Sequence, residues 1–335
     1  MRGPRTGGVD KHMQGDLIVV FGGSGFIGTH VVKQLAKRGK RIRVPMRRPH
    51  LGHELRVLGD VGQVQLVQAN VRYPESVERA LEGASAVVNL VGLLFEKGAQ
   101  KFDEVQAQGA ETIAEAAAKA GVTRFVQVSA IGADAKGKAH YARTKAAAEE
   151  GVRRHVPTAT IVRPSIVFGP EDQFFNRFAD MAKFAPALPL IGGGKTKFQP
   201  VYVQDVAEAI ANALDMPAAQ GKTYELGGPG VYAFKELLQF TLDTAARKRG
   251  LANLPFFVAG PMGAAADAVF KLWPFSGPPI TGDQVEMLKS DNVVSPDALT
   301  IRDLGVTQLE TIETIVPTYL WRFRPHGQFQ AKPTE

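Results

Sequence analysis

The sequence predicts an α/β protein, a doubly wound parallel sheet with a smaller mixed lobe toward the C-terminus, and three observations carry that expectation. A short apolar run, Leu17 to Phe21, passes through a glycine-rich turn into a segment whose apolar residues recur at helical spacing. Apolar runs of strand length then alternate with helical segments as far as Val128, the pattern produced by parallel strands joined by crossover helices. The chain is also long enough: 335 residues, 44% hydrophobic and 22% charged, supply one large domain or two unequal ones with a sizeable core.

The first strand and helix are the most informative. Leu17 to Phe21 is rich in β-branched residues, and Phe26, Ile27, Val31, Val32, Leu35 and Ala36 form one face of a helix that Gly39 stops. Gly22, Gly23, Gly25 and Gly28 lie between and at the start of these elements. Glycine there allows a tight turn and lets a pyrophosphate approach main-chain N–H groups at a helix N-terminus, whose dipole favours an anion. Gly22, Gly25, Phe26, Ile27 and Gly28 are therefore the first candidate cofactor-binding residues, in a Rossmann-type unit.

Arg41 to Met46 reads as the second strand, and Arg47, Arg48 and Pro49 follow it. A site selective for NAD usually places an acid here for the ribose 2′-hydroxyl, whereas arginine pairs with a 2′-phosphate, so the sequence favours NADPH. Two arginines in a loop are also ordinary solvated cations. Val64 to Ala69 is a third strand, with Asn70 and Val71 where a loop passes the adenine edge, and Ala86 to Leu90 is a fourth, apolar enough for a strand covered on both faces. Ser76 to Leu81 and Phe102 to Ala120 are the crossover helices, and Arg124 to Val128 is a fifth strand closed by Ser129.

Composition excludes several chemistries. Without cysteine the chain has no disulfide, thiolate nucleophile or thiolate-held cluster, and its seven histidines show no metal-ligand spacing. A net charge of +7 suits a nucleotide, an acidic protein face or a lipid headgroup surface. A solvated basic surface accounts for it equally, and no basic-aromatic motif points to nucleic acid. Residues 1–15 are basic, lack the apolar core of a secretory signal and read as a disordered leader. No apolar run approaches the roughly eighteen residues that span a bilayer.

Tyr141 and Lys145 stand four apart on the next helical segment, where an ammonium can hold a ribose and lower the phenol's pKa toward acid/base use. After the fifth strand of a glycine-motif sheet, this YxxxK resembles the extended short-chain dehydrogenase/reductases. Arg163-Pro164-Ser165-Ile166-Val167-Phe168-Gly169-Pro170, Val201-Tyr202-Val203-Gln204-Asp205-Val206-Ala207 and Tyr224-Glu225-Leu226-Gly227-Gly228-Pro229 continue the likeness. The resemblance extends the cofactor-binding set to Leu90, Val91, Ser129, Tyr141, Lys145, Pro164 and Ile166. It also implies a serine or threonine after the fifth strand that polarises a substrate carbonyl, and Ala130 stands there. Tyr141 and Lys145 would then hold a nicotinamide ribose without the partner that prepares a substrate.

The C-terminal third narrows the likeness. Leu254-Pro255-Phe256-Phe257, Pro278-Pro279-Ile280-Thr281-Gly282-Asp283-Gln284-Val285, Asp291-Asn292-Val293-Val294 and Tyr319-Leu320-Trp321-Arg322-Phe323-Arg324 resemble the nucleotide-binding accessory subunit of respiratory complex I, an atypical extended short-chain dehydrogenase. That resemblance implies a tightly held NADPH, no established turnover, other complex I subunits as partners, and a place on the peripheral arm near the membrane arm. The location it implies is peripheral, on the cytoplasmic face of a bacterial inner membrane or the matrix side in mitochondria. A helix over Met262 to Trp273 carries Met262, Ala266, Val269, Phe270 and Trp273 on one face, which suits a groove, a membrane surface touched by residues 254–273, or the protein's own core.

The expected organisation is a Rossmann domain over residues 16–165, a smaller lobe over 166–324 interleaved with it, and a frayed tail over 325–335. Two functions follow: an NADPH-binding subunit with little or no catalysis, or a free NADPH-dependent reductase or epimerase.

Overall fold

Strand β1 (Leu17–Phe21) is buried along its whole length. Ile18 and Val20 join one core with Val31, Val32 and Leu35 of helix α1 (Phe26–Lys37), while Val19 and Phe21 join another with Val77, Leu81 and Ile113. Because alternate strand residues face opposite ways, one continuous apolar run serves two packed layers. A computed structural model, which describes residues 16–263 and 281–329, shows how the rest of the chain continues this arrangement.

The following strands are β2 (Arg41–Met46), β3 (Val64–Gln68), β4 (Ala86–Asn89), β5 (Arg124–Val128) and β6 (Thr160–Pro164), all parallel to their neighbours. Their spatial order is β3-β2-β1-β4-β5-β6, and Thr223–Leu226 and Leu299–Thr300 extend it beyond β6 into an eight-stranded parallel sheet. The order reverses between β1 and β4, the place where open sheets of this kind bind ligands at their carboxyl ends. Helices α2 (Pro74–Leu81), α3 (Gln108–Lys119) and α4 (His140–His155) cover one face of the sheet. Helix α1 and α6 (Val203–Asp215) cover the other, so the second half of the chain returns to complete the first.

Four boundaries differ from the sequence expectation. The third strand ends at Gln68, and the fourth ends at Asn89, which turns its side chain back to accept from the Val91 amide at 3.0 Å while donating to Gln127 Oε1 at 2.8 Å. The crossover helix expected from Ser76 starts earlier, at Pro74, a residue suited to a first helical turn. The helix expected over Phe102 to Ala120 begins as a π-helical turn, Phe102–Ala107, before α3 takes over.

The second lobe has its own core. Helices α5 (Phe175–Phe184) and α7 (Phe234–Thr244) pack with the C-terminal turns around Phe168, Phe175, Phe178, Phe198, Phe234 and Phe323. The rings meet edge-on, Phe174 lying 5.2 Å from Phe175 at 78° and 5.1 Å from Phe178 at 69°, the geometry that ring quadrupoles favour. Buried Asp172 fastens the end of the chain to this lobe: it accepts from the amides of Gly169, Phe174 and Asn176 and from the hydroxyl of Tyr319. On α6, Asp205 of the expected Val201–Ala207 motif accepts from the Glu310 amide at 3.0 Å, and burial pushes its carboxyl up to about 6.

The leader 1–15, residues 330–335 of the tail and most of the helix expected over Met262 to Trp273, including Phe270 and Trp273, lie outside the described residues. Residues 256–263 are helical, with Phe257 79% and Met262 55% exposed and Ala259 buried against Ile191 and Val285. Among the described residues, no helix is long and apolar enough to cross a membrane.

Candidate nucleotide-binding site

The parallel sheet gathers the sequence-derived positions at one edge. Gly22 follows β1, Arg47 and Arg48 follow β2, Asn70 and Val71 follow β3, Leu90 and Val91 follow β4, Ser129 follows β5, and Pro164 and Ile166 end and follow β6.

At the centre, Gly22 has φ +76°, and a Cβ there would sit 2.9 Å from the Leu90 carbonyl carbon. A Cβ on Gly28 would sit 2.1 Å from the Gly22 oxygen, so α1 begins pressed against the turn, an approach only glycine permits. Gly25 is the N-cap of α1; no side chain caps it and no acid lies in its first turn. The helix therefore offers the first-turn amides of Phe26, Ile27 and Gly28, at the positive end of its dipole, to an anion.

Beyond the end of β2 lies an open groove of about 630 Å³ lined by Arg47, Gln68, Asn70, Tyr73, Ser76 and Arg79, with Glu75 at its side. Arg48 is exposed and is not part of this lining. Arg79 was not anticipated: it belongs to α2, and only the pairing of β2 with β3 brings that helix beside Arg47. Asn70 is fixed by a local turn, its amide donating to Ser76 Oγ at 3.0 Å and its Oδ1 accepting from the Arg72 amide at 3.2 Å.

On the other side of the switch point the edge becomes polar and buried. Gln106, on the π-helical turn, donates to Thr144 Oγ1 at 2.9 Å and accepts from the Leu93 amide at 3.3 Å. Gln127 Nε2 and Lys145 Nζ both donate to the Val128 carbonyl, at 3.1 and 3.4 Å. Next to them Ser129 is 3% exposed, and its hydroxyl is the buried side-chain polar atom without a hydrogen-bond partner among the described residues. An unmet hydroxyl beside a buried ammonium is what a polyhydroxylated ligand would satisfy. The carbonyls of Pro164 and Ile166 accept from the amides of Ile131 and Val201 at 3.0 Å each. Ala130, half-buried beside Ser129, brings no hydroxyl.

Helix α4 carries Tyr141, Lys145 and Glu149 on successive turns. Glu149 receives Arg163 of β6 through two bonds of 2.9 and 2.7 Å, and Glu225 stands 3.8 Å from the same guanidinium. This largely buried pairing seats the helix against the sheet. Tyr141 packs edge-on against Phe102 at 5.9 Å, and the Lys145 ammonium lies 5.8 Å over its ring. The expectation that Lys145 lowers the phenol's pKa does not hold. Burial pushes Tyr141 up to about 12, and it pushes Lys145 down to about 8 against the pull of Glu149.

Residues 18–227 match the NAD dependent epimerase/dehydratase family. The chain is 39% identical over 307 residues to subunit 9 of the mitochondrial NADH dehydrogenase [ubiquinone] 1 alpha subcomplex of Arabidopsis thaliana, covering 90% of this chain and 76% of the relative. Among solved structures, gox2253 superposes with a TM-score of 0.67 at 22% identity, covering 94% of this chain and all of that one, a likeness of fold. The UDP-glucose 4-epimerase of Thermus thermophilus, solved with NAD, superposes with a TM-score of 0.58 at 26% identity, over 71% of this chain and 86% of its own. The chain belongs to the NAD dependent epimerase/dehydratase family, and within it to the group that includes subunit 9 of the NADH dehydrogenase 1 alpha subcomplex.

Proposed function

We propose that this chain is an NADPH-binding subunit of respiratory complex I that keeps its nucleotide as a structural element and turns over little or no substrate. The observation that carries the reading is that the likeness to a complex I subunit runs through both lobes, over 90% of the chain, so it includes the lobe that a free enzyme would devote to its own substrate. In this reading the chain sits on the peripheral arm near its junction with the membrane arm, against other complex I subunits. That places it on the cytoplasmic face of a bacterial inner membrane, or the matrix side in mitochondria, with residues 254–273 toward the membrane surface. The exposed Phe257 and Met262 support that orientation.

Gly22, Gly25, Phe26, Ile27 and Gly28 take the pyrophosphate, Arg47 with Arg79 the 2′-phosphate, and Asn70 and Val71 the adenine edge. Leu90, Val91, Ser129, Tyr141, Lys145, Pro164 and Ile166 surround the nicotinamide half. NADPH, when bound, supplies a hydride donor. Lys145 and Ser129 offer donors to a ribose, and Gln106, Gln127 and Asn89 hold the strand ends beneath them. Two features argue against turnover: Ala130 cannot polarise a carbonyl, and a phenol held at about 12 is poorly matched to proton transfer near neutral pH.

The intact Tyr141–Lys145 pair supports a second reading, a free NADPH-dependent reductase or epimerase. Fractionation of the tagged chain from mildly solubilised membranes separates the two. It is expected to migrate with a very large NADH-oxidising assembly, and Tyr141→Phe is expected to leave respiratory NADH oxidation nearly unchanged. A chain that migrates alone, or an assembled complex whose activity collapses with Tyr141→Phe, overturns the proposal.

A further inference from the structure

Helix α4 has a start that its own sequence does not complete. Its N-cap is Ala139, no local side chain caps it, and no acid lies in its first turn. The missing acceptor comes from the second lobe: Asp283 Oδ1 accepts from the His140 amide at 3.0 Å, and Oδ2 accepts from the Tyr141 amide at 3.1 Å, across 142 residues of sequence. Both oxygens of one carboxylate thus meet the first two amides of the helix, at its positive end.

The carboxylate is itself held in place. Asp283 lies in the first turn of the helix Gly282–Met287, which is closed by a reciprocal capping box: Thr281 Oγ1 accepts from the Gln284 amide at 3.0 Å, and Gln284 Oε1 accepts from the Thr281 amide at 3.3 Å. Val285, on the same helix, is 2% exposed and packs with Ile191 and Ala259. From the other side Phe102 lies edge-on against the rings of His140 and Tyr141, at 5.6 and 5.9 Å. The turn that bears Tyr141 is therefore gripped between the π-helical turn and the C-terminal lobe.

We propose that Asp283 is a positioning residue for the nucleotide site: by capping α4 from the second lobe it fixes Tyr141 and Lys145 against the carboxyl end of β5. The proposal rests on the nucleotide-binding reading. It makes the nicotinamide half of the site depend on the cap that Asp283 supplies, while the adenine half is built on α1, β2 and α2, which Asp283 does not cap.

The test compares full-length wild-type, Asp283→Ala and Asp283→Asn proteins stripped of nucleotide, titrated with NADPH and with adenosine 2′,5′-bisphosphate, which carries the adenine and 2′-phosphate but no nicotinamide. Asp283→Ala is expected to weaken NADPH about fivefold, the equilibrium equivalent of a lost helix cap, and to leave the bisphosphate unchanged. Asp283→Asn, which keeps one acceptor oxygen, is expected to fall between. In the same stripped proteins, hydrogen exchange at the amides of residues 140 and 141 is expected to quicken about fivefold in Asp283→Ala, as the cap opens. Equal weakening of both ligands would mark a general loosening of the fold and overturn the proposal, as would unchanged NADPH affinity or unchanged exchange. A wild-type chain that binds neither ligand overturns the nucleotide reading and the positioning role with it, while the exchange still decides whether Asp283 holds the helix end.

Discussion

The nucleotide half builds its site from residues within a few positions of a strand end, whereas the C-terminal lobe is held by pairs far apart in the chain. Gly22, Leu90 and Ser129 each follow their strand directly, and Asn70 stands two residues past its own. Tyr319 reaches Asp172 across 147 positions, and Ser165 Oγ reaches Asn292 Oδ1 across 127, at 2.7 Å. A parallel sheet brings every strand's carboxyl end to one edge, so the order of strands already locates a site. A lobe of separate two-stranded pairings and helices has no such rule, and its geometry depends on which distant side chains meet.

The sharpest way to break the local half is to strand a charge in it. Arg163→Met leaves Glu149, whose side chain is 8% exposed, without the guanidinium it shares two bonds with. A loss of about 3 kcal/mol in unfolding free energy is expected from an unpaired buried carboxylate, measured by denaturant titration. A loss near zero would mean that the pair does not seat α4.

The second prediction concerns pH in the nucleotide-free protein. Lys145 is held at about 8 against an ordinary value of 10.5, so above pH 8 the unfolded chain binds a proton that the folded chain has released, and this group makes stability rise with pH. Tyr141, raised to about 12 from 10.0, acts in the opposite sense above pH 10, where the unfolded phenol ionises first. The rise therefore occupies the interval from about pH 8 to 10. Lys145→Met is expected to remove it, as read from Tm against pH; a rise that survives the substitution would assign it to another group.

The smallest effect is expected in the distant half. Tyr319→Phe removes one donor from Asp172, but the amides of Gly169, Phe174 and Asn176 still satisfy that carboxylate. A loss of about 1 kcal/mol is expected, the worth of one buried hydrogen bond whose acceptor keeps other partners. A loss as large as that of Arg163→Met would erase the contrast between the two halves.

The same contrast explains what could be read from residues alone. The β1 glycine turn, the strand ends and the Tyr141–Lys145 spacing were legible because each is a local pattern with a local cause. Arg79 was not, because its place beside Arg47 depends on strand pairing, and Arg48, next to Arg47 in sequence, turned out to stand outside the groove. The π-helical turn carrying Gln106 reads as ordinary helix, since its apolar residues have helical spacing. The upward shift of the Tyr141 phenol was missed because spacing shows that Lys145 is near but does not show how deeply both are buried. Asp283 stands in the Pro278–Val285 stretch that carries the family likeness, but nothing there announces that it caps a helix in the other lobe.

The central claim, a resident NADPH, is tested most directly by releasing the nucleotide from the natively purified complex-sized fraction and identifying it by mass against the amount of this chain. The account predicts one NADPH or NADP⁺ per chain. Recovery of NADH or NAD⁺, or of no nucleotide from a fraction in which the chain is intact, would contradict it.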